Sequence, residues 1–155
     1  MTKQFDSIFR DSVKRMHYSG ATDSDETQPV HVVIWPTFAG MTDFETGVAD
    51  RIASMGVSVT AVDLYGQGRN PVEMEAKNAT MGQLLAEPVL LHGLLRELTD
   101  AVVGDQEDSK IVHLGFCLGG RLAIEAGLHL MDSTAAVSFH GLMNFYYNIK
   151  EMPHR

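Results

Sequence analysis

Four short apolar runs constrain this chain more than any other feature. VHVVIW (30–35), VSVTAVDLY (57–65), IVHLGF (111–116) and AAVSFHG (135–141) are rich in β-branched and aromatic residues and nearly free of charge, the pattern of strands buried on both faces. Between them the spacing turns helical. FETGVADRIASM (44–55) sets Phe44, Val48, Ile52 and Met55 on one side, which predicts one buried face. Thr42 or Asp43 would cap that helix and Gly56 would end it. From about Thr80 to Val103, an apolar stripe of Leu84, Leu85, Val89, Leu91, Leu94, Leu95 and Leu98 predicts more helix, with a kink or break at Pro88. LGGRLAIEAGLHLM (118–131) reads as helix again. Strands alternating with helices predict an α/β fold: a mostly parallel sheet with helices on both faces.

The 155 residues fit one domain, with 1–29 a poorly defined N-terminal segment whose polar, acidic part (18–29) reads as loop or linker. A net charge of −8 argues against nucleic acid or an anionic membrane as partner. The apolar runs are too short to span a bilayer. The first twenty residues mix charges and hold no apolar core of a secretory signal. A single cysteine cannot form an internal disulfide, so a reducing, cytoplasmic setting is expected. Seven histidines are scattered without H-x-x-x-H spacing, so neither metal nor cofactor is expected.

In parallel sheets the ligand site lies beyond the carboxyl ends of the strands. Three glycine-bearing turns meet there: PTFAG, YGQG and GFCLGG, the last holding Cys117. A thiol attacks as thiolate, and a helix N-terminus favours that anion. The turn must be tight, so the positions two before and two after the nucleophile must be small. Gly115 and Gly119 stand there, and Gly120 allows close helix–strand packing. G-x-C-x-G between an apolar strand and a helix is a nucleophile elbow with Cys in place of Ser, and the backbone N–H of Leu118 would be an oxyanion donor. The plain alternative is an inert thiol in a glycine-rich turn.

On these residues the chain resembles the dienelactone hydrolase family of α/β-hydrolases, whose elbow reads G-[FY]-C-x-G-G. GVADRIASMGVSVTAVDLYGQGRNP is similar to the family's helix–strand–loop segment, and AAVSFHG to the strand after the nucleophile helix. The resemblance covers most of residues 30–141. It implies a carboxylic-ester or lactone hydrolase working through an acyl-enzyme, with Cys117 as nucleophile and a small ester or lactone as substrate. Leu118 N–H would be one oxyanion donor and the turn at Thr37–Phe38 would supply the other.

Two departures carry expectations. Many members place H-E after the first strand, the Glu touching the resting cysteine; the matching residues here are Pro36 and Thr37, and a hydroxyl cannot accept a proton as a carboxylate does. The family's triad continues with Asp and His beyond later strands, and this sequence stops about where the next strand would begin. The chain is therefore expected to be a partial hydrolase domain, inactive or weak. Its unpaired sheet edge would be covered by the aromatic tail or by a second copy.

Other residues could substitute. His140 at the end of the last strand is a candidate base, though a packing or supporting role is favoured for it and for Thr37. His113 reads as a satisfied core histidine, and Asp63 as an anchor for its own loop. Arg69 could meet a substrate carboxylate or simply be a solvated loop charge. Gly66-x-Gly68 lacks the rest of a dinucleotide fingerprint. Two other functions are weighed: a cysteine-elbow amidotransferase, for which PTFAG and GFCLGGR match poorly, and a non-catalytic binding or oligomerisation module derived from a hydrolase.

Overall fold

The computed structural model describes residues 2–9, 12–19, 30–66, 70–104 and 109–143. The four apolar runs form β3 (Val30–Trp35), β4 (Ser58–Val62), β5 (Lys110–Phe116) and β6 (Ser133–Phe139). They pair in parallel, β4 on one side of β3 and β5 on the other, with β6 beyond β5. Two further strands, β1 (Thr2–Phe9) and β2 (Ser12–Ser19), form an antiparallel hairpin that extends the sheet past β4, giving the order β1-β2-β4-β3-β5-β6. Tyr18 and Ser19, read from sequence as the start of a loop, thus end β2. The rest of that stretch, residues 20–29, and the aromatic tail from 144 onward lie outside the described residues.

Alternation along β3 divides the core. Val33 and Trp35 join Val62, Leu64 and Ile111 on one face, where α3 (Pro88–Val103) brings Leu91, Leu94, Leu95 and Leu98, and α4 (Leu118–His129) brings Leu118, Leu122, Ala123 and Ala126. Val32 and Ile34 join Val59 and Ala61 on the other, under Ala49 and Ala53 of α1 (Asp43–Ala53). A sheet covered on both sides is what the continuous apolar strands β3 and β4 require. β6, also expected to be buried on both faces, is mostly exposed, because it has a neighbouring strand, β5, on one side only among the described residues.

Two expectations about helices need correction. The buried residues of α1 are Glu45, Ala49 and Ala53, whereas Phe44 and Met55 are 50% and 71% exposed. Val48 and Ile52 still pack along the edge of the core. The stripe is turned by about one residue, because the small alanines let the helix axis approach the sheet where larger side chains would hold it off. The second helical stretch begins earlier than Thr80. It is two helices, α2 (Met74–Leu85) and α3, with Pro88 at the first turn of α3, where its missing N–H costs nothing. Val89 faces solvent at 82% exposure rather than joining the stripe.

His113 satisfies the expectation of a core histidine in a specific way. Trp35 Nε1–H donates to its Nδ1 at 3.1 Å, which leaves the proton on Nε2, and Nε2 lies 2.8 Å from Ser133 Oγ. Ser133 Oγ in turn donates to the Ala126 carbonyl at 3.2 Å. This chain of bonds ties β3, β5, the start of β6 and α4 together beneath the elbow.

Candidate active site

Cys117 sits between the end of β5 and the first turn of α4 with φ 55° and ψ −117°. That left-handed backbone is costly for a residue with a Cβ and is held by its surroundings. Its N–H donates to the Phe139 carbonyl at 3.0 Å, and its own carbonyl accepts from Arg121 N–H at 3.3 Å. The glycines are needed for the reason the motif suggests. A Cβ on Gly115 would overlap the Gly119 carbonyl, and a Cβ on Gly119 would overlap the Trp35 carbonyl and come within 2.7 Å of the Pro36 oxygen. The first turn of α4 is thus pressed against the loop that leaves β3.

That loop is the other wall of the site. Gly40 N–H donates to the Thr37 carbonyl at 3.0 Å, closing a tight turn, and Ala39 N–H reaches Thr37 Oγ1 at 3.3 Å. Tyr65 Oη–H holds the Phe38 carbonyl at 3.1 Å. Among the described residues no hydrogen bond engages the Phe38 N–H, which follows this turn, or the Leu118 N–H at the start of α4.

A residue missed in the sequence reading fixes the loop. Glu45 is 1% exposed, and its carboxylate accepts from Thr37 N–H at 3.1 Å, Thr42 N–H at 2.9 Å and Thr42 Oγ1–H at 2.6 Å. Thr42, not Asp43, is the N-cap of α1, and Thr42 with Glu45 forms a reciprocal capping box. The T-x-x-E spacing was the available signal. The same carboxylate that caps the helix also braces the loop carrying Phe38.

The remaining candidates are placed as follows. Asp63 is buried and accepts from Gly66 N–H at 2.8 Å, the loop-anchoring role expected of it. His140 follows β6 with φ 43° and an exposed side chain. Among the described residues no imidazole or carboxylate is hydrogen-bonded to the Cys117 thiol. Arg69 lies outside the described residues. Phe116, next to the nucleophile, meets Phe44 edge-on at 5.0 Å between ring centroids and stacks on Phe139 at 4.9 Å, an aromatic row beside the elbow.

Comparison with known proteins agrees with this geometry. The family model of the dienelactone hydrolase family matches residues 18–154. The chain belongs to the dienelactone hydrolase family. Among solved structures, one described as m3DLH superimposes with a TM-score of 0.79 at 26% identity, covering 91% of this chain and 59% of that one. A dienelactone hydrolase-like promiscuous phosphotriesterase, P91, from metagenomic libraries gives 0.76 at 23% identity with the same coverage, 91% and 59%. The dienelactone hydrolase of Anabaena variabilis gives 0.64 at 15% identity, covering 91% and 63%. The fold is that of the α/β-hydrolases, and the chain spans about three-fifths of the length of these structures. No curated protein sequence matches it.

Proposed function

We propose that this chain carries the nucleophile and oxyanion part of a hydrolase for carboxylic esters or lactones, with Cys117 as the attacking group. The observation that supports this most is the strained φ of 55° at Cys117, at the head of α4 and against the loop of Phe38. Strain of that kind is retained where a side chain must be displayed. In the reaction the thiolate sulfur attacks the substrate carbonyl carbon, and the carbonyl oxygen gathers charge between Leu118 N–H and Phe38 N–H. Collapse expels the alcohol oxygen and leaves a thioester on Cys117, which water then cleaves to the acid.

Expelling an ordinary alkoxide and activating that water both require proton transfer. With no imidazole bonded to the thiol among the described residues, acylation is expected to be ready only with esters whose leaving group departs as a stable anion. p-Nitrophenyl acetate is the test. One equivalent of p-nitrophenolate per protein, followed by slow turnover, is expected; Cys117→Ala abolishes that burst. Sustained rapid turnover that depends on Cys117 would overturn the reading that acid–base help is missing among the described residues, and absence of any burst would favour a non-catalytic binding module.

A further inference from the structure

The far end of α4 from the elbow holds a second cluster. Glu125 and His129 stand one turn apart on α4, and His92 reaches them from the facing α3. His92 Nε2 lies 2.7 Å from Glu125 Oε2, and the His92 and His129 rings stack at 3.9 Å between centroids. One ligand atom from each of the three residues lies within 4.8 Å of the others. Glu125 is fully buried, while the His92 side chain keeps 25% of its surface in water, so an ion has a route in.

We propose that His92, Glu125 and His129 bind a divalent transition-metal ion, with zinc the best match. Two imidazoles and one carboxylate with a fourth position open to water is a zinc donor set. Donors on one zinc lie about 3.3 Å apart, so the 2.7 Å His92–Glu125 pair opens slightly and the widest separation, within 4.8 Å, closes by up to roughly 1.5 Å, which rotation of the partly exposed histidine side chains supplies. Arg121 Nε holds the other carboxylate oxygen, Oε1, at 3.0 Å, so the carboxylate is oriented and Oε2 is turned toward the histidines. Such support from behind a ligand is usual at metal sites. Glu125 is eight residues along the chain from Cys117, about 12 Å of helical rise, so the ion would clamp α3 to α4 and take no part at the elbow. Motif spacing within one helix could not show this site, because its third ligand comes from another helix.

The test is calorimetric titration of the chelator-treated protein with zinc, alongside the visible spectrum of the cobalt(II) form. One equivalent of tight zinc binding is expected, with the intense visible bands of four-coordinate cobalt. His92→Ala and His129→Ala should each weaken binding at least about tenfold, since even supporting residues at metal sites cost 10–100-fold. Cys117→Ala should leave it unchanged. Zinc should also raise the melting temperature of the wild type but not of the double histidine variant. Equal zinc affinity in the wild type and the double variant, or binding lost with Cys117, would overturn the proposal and leave the cluster a buried ion pair.

Discussion

At the scale of single residues, a few side chains and glycines hold the backbone of the elbow and its facing loop where it would not otherwise stay. Gly119→Ala is expected to destabilise the protein by at least about 1–3 kcal/mol, because its Cβ meets the Trp35 and Pro36 backbone rather than a movable side chain. Chemical denaturation measures this, and an unchanged midpoint would show that α4 can move off the loop. Glu45→Gln is the finer probe. Its carboxylate faces three donors, so an amide must turn its own NH2 toward one of them. A loss of about 1–3 kcal/mol is expected, together with slower burst acylation of Cys117 as the Phe38 loop loosens. Acylation at the wild-type rate in a destabilised Glu45→Gln would make the residue a helix cap only. Cys117 and its glycines were legible in the sequence because the elbow is local, contained in the six consecutive residues Gly115–Gly120. Glu45 was missed because a glutamate in a first helical turn looks solvated until the loop it caps is seen folding over it.

At the scale of elements, the strands were readable and the helix faces less so. A strand buried on both sides announces itself through an unbroken apolar run, as in VHVVIW. The face of α1 is decided by how closely the helix must approach the sheet, and that distance selects Ala49 and Ala53 over the bulkier Phe44 and Met55. The β1–β2 hairpin has no continuous apolar run to reveal it; its order comes from pairing with β4. The central strands also carry a pH dependence. Burial pushes His113 down from 6.5 to about 4, with smaller opposed effects of Asp132 and Arg96, and burial does the same to His31. Both are favoured neutral in the fold, so the unfolded chain binds more protons between pH 6.5 and 4. Their contribution is complete above about 6.5 and is lost as pH falls through 4. Each histidine adds a slope of up to about 1.4 kcal/mol per pH unit. Unfolding free energy measured by urea titration should therefore begin to fall between pH 6.5 and 5, above the carboxylate range, and a flat profile there would contradict the buried neutral network.

At the scale of the molecule, the parallel strands bring loops that are distant in sequence to one edge. The turn after β3, the loop anchored by Asp63 and the elbow after β5 meet there: Tyr65 holds the Phe38 carbonyl, and Gly119 packs against Trp35 and Pro36. β6 pairs with β5 on one side, and Val137 and Phe139 along it are 39% and 47% exposed. The aromatic row of Phe44, Phe116 and Phe139 lies along the same side, with Phe116 next to Cys117 in the chain. The central claim is that this edge displays Cys117 as a nucleophile. Intact-protein and peptide mass spectrometry after brief exposure to p-nitrophenyl acetate tests it most directly. A single acetyl group is expected, located on Cys117, absent from Cys117→Ala and slow to hydrolyse. An unmodified Cys117, or acetyl groups spread over lysines at equal rates in the wild type and the variant, would contradict it.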